Sequence, residues 1–452
     1  MKLSEKFNQL SLKPSKASIS HHKKNTRYKR TVQMPTPQRV KISMDQHRGV
    51  PCSPIVKVGD YVELGQPIAE SAILLSAPIH ASVSGVVESI EDFVQNDGQI
   101  VKELVIKSDE VQSLYKELKP PYIKNKMDFL QAVKNSGLVG LGGAAFPTHV
   151  KLITKPTGNM NLDILLINGA ECEPYITSDS REMLENPLDF FAGIQVVSYF
   201  LNIKEVMIGI EDHNKEVIEV LTNFLSKKRE NYPNIFIKRL PSIYPQGAER
   251  VLVKRCTGRS IPPRKLPLDV GVIVLNASTT ASLARYFKTG LPLTSRRVTV
   301  DGSAVNNPRN VWVPIGTMIK DIIAFCGGYI EEAHLLLQGG IMTGIAQTND
   351  DQPITKRTNA VLAFGKSDLR DHLEIACVRC AKCVDICPVD LMPGIIDQNV
   401  RFNNLDKLKT LGLDVCLGCG LCSFTCPSNR ALVQNINTGK KMLQVITQGG
   451  QS

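Results

Sequence analysis

The residues best able to do chemistry are eight cysteines near the carboxyl end. They form the run Cys377-x2-Cys380-x2-Cys383-x3-Cys387-Pro388, repeated as Cys416-x2-Cys419-x2-Cys422-x3-Cys426-Pro427. Three thiolates at equal two-residue gaps can wrap three irons of a cubane. The fourth, one helical turn on and held by proline, reaches a second cubane. That spacing crosses the ligands. Cys377, Cys380, Cys383 and Cys426 go to one [4Fe–4S] cluster, and Cys416, Cys419, Cys422 and Cys387 to the other. Zinc is the alternative, but zinc sites pair two CxxC units and need no third equal step followed by Cys-Pro. Paired cubanes relay single electrons.

A second group lies in the glycine-rich stretch 137–152, which holds Gly140, Gly142, Gly143, Phe146 and Lys151. Glycines let a backbone approach a phosphate or a flavin ring, and a following helix N-terminus favours an anion. Lys151 adds positive charge. A tight loop without a ligand gives the same string. A third group, Asn168-Gly169-Ala170-Glu171-Cys172-Glu173-Pro174-Tyr175, directly follows the apolar run 163–167. Asn168, Glu171 and Glu173 therefore fall in a loop on the binding side of a sheet. The stretch 244–250, with Glu249, and Asn276 at the end of the run 271–275 are weaker signals; each alone reads as structural.

Elements are needed to position these residues. Strand-like runs at 163–167, 206–210 and 271–275 alternate with helical periodicity at 127–135, 214–227 and 277–287. That alternation predicts an α/β domain over 119–290, with a parallel sheet covered by helices. Before it, 31–118 reads as short strands broken by Gly, Asp and Pro turns, a small β-sandwich similar to the biotinyl/lipoyl barrel-sandwich hybrid. Its stretch 71–76 lacks the lysine a swinging arm requires, so a structural or docking module is expected. Residues 291–347, with a strand into the turn at Gly302 and a short amphipathic helix at 317–323, look like a soluble-ligand-binding β-grasp (SLBB) domain. A connection at 348–368, the cysteine domain at 369–435 and a tail at 436–452 complete a multidomain α/β and α+β chain.

Composition bounds the rest. The 452 residues suit roughly three domains at about 150 each. A 42% apolar and 21% charged content excludes a wholly disordered chain. No run approaches the ~18 apolar residues of a membrane span, and the N-terminus lacks the apolar core of a secretory signal. A soluble, cytoplasmic chain is expected. The net charge is +11, of which +9 lies in residues 1–40, so the basic pI belongs to a tail and not to a nucleic-acid-binding body. Residues 1–30 are expected to be a disordered basic tail, either a solvated leader or a contact for an anionic membrane surface. Cys52, Cys172, Cys256 and Cys326 are scattered, which does not suit a disulfide scaffold.

The strings GLGGAAFPTHVKL, INGAECEPYIT and YPQGAERVL, the SLBB-like segment and the paired cluster runs stand in one order. In that order they resemble RnfC, the peripheral iron–sulfur and flavin subunit of Rnf electron-transport complexes, over about 31–435. The central part is also similar to the flavin-carrying, NADH-oxidising subunit of respiratory complex I. The resemblance implies that Gly140, Gly142, Gly143 and Lys151 line FMN, with Asn168, Glu171 and Asn276. It places Phe146, Glu173 and Glu249 towards NAD(H). It further implies an NADH/ferredoxin-linked oxidoreductase subunit in which a hydride's electron pair is passed singly to the clusters. Its partners would be ferredoxin and the membrane subunits of an Rnf-type complex on the cytoplasmic face of the cell membrane.

There are departures. Ala145 replaces the last glycine of the family's GGAGFP, placing a methyl where it would crowd flavin or nicotinamide. The stretch 339–344 departs from GGPMMG, and the GGxHPxxxK opening is missing. Residues 46–52 (QHRGVPC) resemble an RnfC-like electron-transfer protein associated with proline reductase. On that resemblance a soluble reductase is the rival partner, and Cys52 is either a redox thiol or a small packed residue. A ferredoxin-bearing adaptor without flavin is a further rival.

Overall fold

The computed structural model describes residues 17–94, 98–156, 161–369 and 373–449, with side chains to 444. Among the described residues no helix is long and apolar enough to cross a membrane.

Strands Ile164–Asn168, Glu205–Glu211, Ile235–Leu240 and Val272–Asn276 form a four-stranded parallel sheet. Both faces are covered, which is why these strands read as unbroken apolar runs without alternation. Helices Pro187–Leu201 and Ala277–Thr289 pack on one face. They approach so closely that a Cβ on Gly193 would sit 2.0 Å from the Thr280 carbonyl oxygen. Helix Glu249–Thr257 covers the other face through Leu252 and Val253. In-register pairing sets Asn168 beside Asn276 on one side and Gly209 on the other. The carboxyl ends of the strands thus bring the polar residues to one edge.

Ahead of this domain, an antiparallel four-stranded sheet and a three-stranded sheet enclose Val40, Ile42, Ile68, Ile79 and Leu104. Its long strands, Gly85–Val94 and Ile100–Ser108, carry Phe93 well beyond the sandwich core.

Three expected boundaries change. The connection at 348–368 contains strand Ala360–Phe364, buried at all five residues. It pairs in parallel with Ser295–Asp301 and antiparallel with Leu335–Gln338 inside the six-stranded β-grasp sheet. A strand covered on both faces shows no alternation, and five apolar residues are too few to stand out. Residues 17–30 are a folded strap, with Lys23 and Thr26 buried; residues 1–16 lie outside the described residues. A charge count cannot see that Lys23 has a buried carboxylate partner, Glu171, far along the chain. Helix Leu432–Gly449 runs through the expected tail, and Gly439 on it sits against Leu413 and Val400.

The domains converge on the glycine-rich loop. Lys356, 1% exposed, donates from Nζ to Pro78 O and Gly137 O, both at 2.7 Å. Arg296 Nη2 donates to Leu141 O at 2.9 Å, and Arg48 N to Ala145 O at 2.9 Å. Burial pushes the Lys356 ammonium from 10.5 down to about 7. A lysine depressed in the folded state costs stability as pH falls from about 10.5 to about 7 and carries that cost fully below. Urea titrations from pH 7 to 10 should therefore show a stability gain with pH in the parent that is missing in Lys356→Met. Equal slopes in the two proteins would contradict this assignment.

Candidate functional site

A cleft of about 740 Å³ opens over the glycine-rich loop. Gly142, Gly143 and Ala144 form one wall, Glu173 and the Gly339–Gly344 segment of the β-grasp domain another. Phe93 of the sandwich hairpin and Leu417 and Gly418 of the cysteine domain close it. Four parts of the chain, distant in sequence, therefore build one site.

The glycines act differently. Gly143 has φ +105°, and a Cβ there would meet nothing within 4 Å, so its backbone faces open cleft. A Cβ on Gly142 would lie 3.2 Å from Asn276 Nδ2. Gly140 closes the loop on itself, donating to Phe146 O at 2.8 Å. Ala145 has φ +47°, the left-handed region where glycine is at ease. Its methyl is fully buried in the α/β core and is not part of the cleft wall. The methyl expected from the sequence to crowd flavin or nicotinamide faces the core and not the cleft.

The polar candidates divide. Glu173 lines the cleft and accepts from Thr343 Oγ1 at 2.6 Å, Tyr244 OH at 3.1 Å and Met342 N at 3.1 Å. Burial raises its carboxyl. A Cβ on Gly340 would fall 2.1 Å from Glu173 Oε2, so any side chain there would displace the carboxylate from its donors. Asn168 donates to Gly247 O at 2.9 Å and accepts from Ala170 N at 3.1 Å, which fastens two strand-end loops together. Asn276 caps helix Ala277–Thr289 through Thr279 N at 3.1 Å and donates to Asp179 Oδ2 at 2.6 Å. Glu171 is buried beneath the loop, its carboxyl raised to about 7 by burial against the opposing pull of Lys23. Lys151 and Glu249 form a partly exposed ion pair at 2.6 Å, with Lys151 also donating to Val274 O. They stand at the sheet's edge and outside the cleft wall.

Sequence reasoning missed Phe93 and Arg357. Arg357 lines the cleft and is held by Asp45 at 2.8 Å and His47 O at 2.6 Å. Nothing in the local sequence marks either, because each reaches the site from another domain. Cys52 is a packed thiol, 5% exposed, donating to Ala77 O at 3.4 Å, and burial pushes it up to about 11. A thiol so placed is not activated as a nucleophile.

One of the two expected cysteine sets is brought together around a pocket. Cys416, Cys419, Cys422 and Cys387 line one small apolar pocket with Leu421 and Ile436. Gly418 N and Leu391 N each donate to a thiol sulfur at 3.4 Å. Cys377 and Cys383 both border Gly394. The two repeats share a backbone. Positive φ occurs at Arg379, Ala381 and Asp390, and at the same offsets at Gly418, Gly420 and Asn429. Four thiols set around one pocket suit an inorganic core such as a cubane.

Comparison with known proteins agrees with this layout. Family models match for the RnfC barrel-sandwich hybrid domain at 17–111 and the Nuo51 FMN-binding domain at 133–285. An SLBB domain matches at 297–346 and a 4Fe-4S dicluster domain at 376–430. Together these define a flavin and iron–sulfur electron-transfer protein. The C component of the proton-translocating ferredoxin:NAD(+) oxidoreductase complex of Clostridium ljungdahlii is 39% identical over 80% of this chain and 78% of its own length. The C component of the Na(+)-translocating complex of Acetobacterium woodii is 37% identical over 90% of this chain and 91% of its own. Its counterpart in the ion-translocating oxidoreductase complex of Rhodobacter capsulatus is 37% identical over 91% and 79%. The chain belongs to the RnfC family. A crystal structure of an NAD+-reducing [NiFe]-hydrogenase shares the fold at TM-score 0.51 and 18% identity, over 71% of this chain and 61% of that one.

Three substitutions probe the site. Gly142→Val must displace Asn276 or fill the cleft, so flavin content after anaerobic purification should fall several-fold while iron content holds. Ala145→Gly should leave flavin unchanged, because the methyl packs away from the cleft. Cys387→Ser should damage the EPR signal of the cluster held by 416–422 and spare that of 377–383. The reverse pattern would refute crossed ligation.

Proposed function

We propose that this chain is the peripheral electron-transfer subunit of an Rnf-type ion-translocating ferredoxin:NAD+ oxidoreductase, working between NAD(H), FMN and two [4Fe–4S] clusters. The observation that carries the reading is the shared wall. Leu417 and Gly418, inside the second cysteine run, line the same cleft as Gly142, Gly143 and Glu173. When bound, FMN exchanges electron pairs with nicotinamide and single electrons with clusters, the conversion such a chain must provide.

The chain's own residues divide the work. The glycine backbone at 142–143 gives a flat, close approach, and Asn276 flanks it. Asn168 keeps the two strand-end loops joined, and Glu173 fixes the β-grasp segment against the cleft. The thiol set 387/416/419/422 serves the cleft side. The set 377/380/383/426 serves the partner side, since Cys377 and Cys380 are exposed whereas Cys387 and Cys422 are buried. A relay of thiols through Cys52 to a soluble reductase finds no support in its buried site. The family supports attachment to membrane subunits, and on this reading that attachment lies on the cytoplasmic face. The basic residues within 1–16 can add about 1 kcal/mol each at an anionic surface.

Anaerobically purified protein should carry about eight irons per chain and bind FMN. In Cys419→Ser, NADH should reduce the flavin but no longer reach the remaining cluster within a single turnover. In Cys380→Ser, the inner cluster should still be reduced at the parental rate. Full reduction of the outer cluster in Cys419→Ser, followed by freeze-quench EPR, would refute this order.

A further inference from the structure

Residues 17–27 lie across both loops that carry candidate nucleotide residues. Tyr244 N donates to Ala17 O at 3.0 Å and Tyr175 N to His21 O at 2.9 Å. The hydroxyls of Thr26 and Thr177 lie 2.8 Å apart, and both residues are buried. His21 stacks on His213 at 3.9 Å and His22 on Tyr175 at 4.9 Å. Ile19, Ser20 and His22 line a further cleft with Met342 of the β-grasp domain and Phe424 of the cysteine domain. The strap therefore touches three of the domains that frame the site.

Its centre is electrostatic. Lys23, 4% exposed, donates to the Glu171 carbonyl oxygen and pairs with the Glu171 carboxylate at 3.6 Å. That carboxylate also accepts from Asp179 N at 2.8 Å and Ser180 Oγ at 2.7 Å. Glu211 ends the neighbouring strand at 1% exposure, and neither of its oxygens has a hydrogen-bond partner among the described residues. Burial pushes its carboxyl up to about 7, with Lys23 pulling against that and Glu171 and Asp212 adding to it. Burial lowers the pKa of both His21 and His213, and Lys23 acts in the same direction. Two buried carboxylates thus depend on one buried ammonium. Removing one partner of such a group leaves charge stranded in a low-dielectric interior.

We propose that this strap is a working part of the nucleotide site. Lys23 is its positioning residue, holding the Asn168–Tyr175 loop and balancing the carboxylates beneath the cleft. The proposal rests on the reading that FMN occupies that cleft.

The test uses the full chain, purified anaerobically and loaded with FMN. The flavin midpoint potential is read by spectroelectrochemistry and FMN affinity by the fluorescence of released flavin. Measured at alkaline pH, where the two carboxyls ionise, Lys23→Met leaves their negative charge unopposed and should lower the potential and weaken FMN binding by about tenfold or more. Glu171→Gln removes negative charge and should raise the potential. The double variant K23M/E171Q should return towards the parent, and it preserves the comparison if Lys23→Met alone does not fold. A merely structural role moves melting temperature without opposite shifts in potential. Shifts of one sign, or none, across these variants overturn the proposal. Deleting residues 1–16 should leave both readouts unchanged; loss of FMN on that deletion would move the role to the basic tail and overturn the one given to Lys23. A parent chain that takes up no FMN would overturn the reading of the cleft itself, and the proposal with it.

Discussion

Two buried cations, Arg296 and Lys356, donate to carbonyl oxygens of one glycine-rich loop, and the cleft has its shape because of them. Both belong to the β-grasp part of the chain, while the loop belongs to the α/β domain. A cation taken out of water is costly unless its hydrogen bonds are made. Burial accordingly pulls Arg296 to about 10 and Lys356 to about 7. The loop offers carbonyls because a glycine-rich turn leaves them free of helix or sheet partners. Each side thus satisfies a need of the other. Neither domain presents the finished cleft alone.

The polar residues around the cleft show the same economy of partners. Asn168, Asn276 and Glu173 are each committed to fixed donors or acceptors before any ligand arrives. A site whose side chains are already locked by their neighbours holds its geometry without reorganising. The layer beneath is less balanced, with Glu171 and Glu211 buried together and Lys23 as counter-charge. That asymmetry makes the strap integral to the site and not an ornament of the surface.

The cysteine domain solves a different problem with repetition. Each run must bend sharply to present three thiols, and positive φ at the second and fourth positions after its first cysteine provides the bend. The second run uses Gly418 and Gly420 there, while the first tolerates Arg379 and Ala381. The run with glycines is the one packed against the cleft. A Cβ on Gly420 would sit 2.7 Å from the Met342 carbonyl oxygen, so close approach as well as conformation requires glycine.

Spacing of like residues determined the kind of cofactor the cysteine domain carries, because thiol chemistry and chain geometry are local properties of each run. Apolar runs of strand length determined the parallel sheet, and the loop after 163–167 determined which side would bind. What only the tertiary structure decided was the use of each residue. Lys151 and Glu249 pair with one another, Asn276 caps a helix, and the Ala145 methyl turns into the core. The strap at 17–30 and Phe93 take their roles from partners more than a hundred residues away or in other domains, and the strand at 360–364 takes its role from the β-grasp strands 295–301 and 335–338 on either side of it. Local pattern carries the type of an element, but burial and pairing across domains depend on contacts that no window of sequence contains.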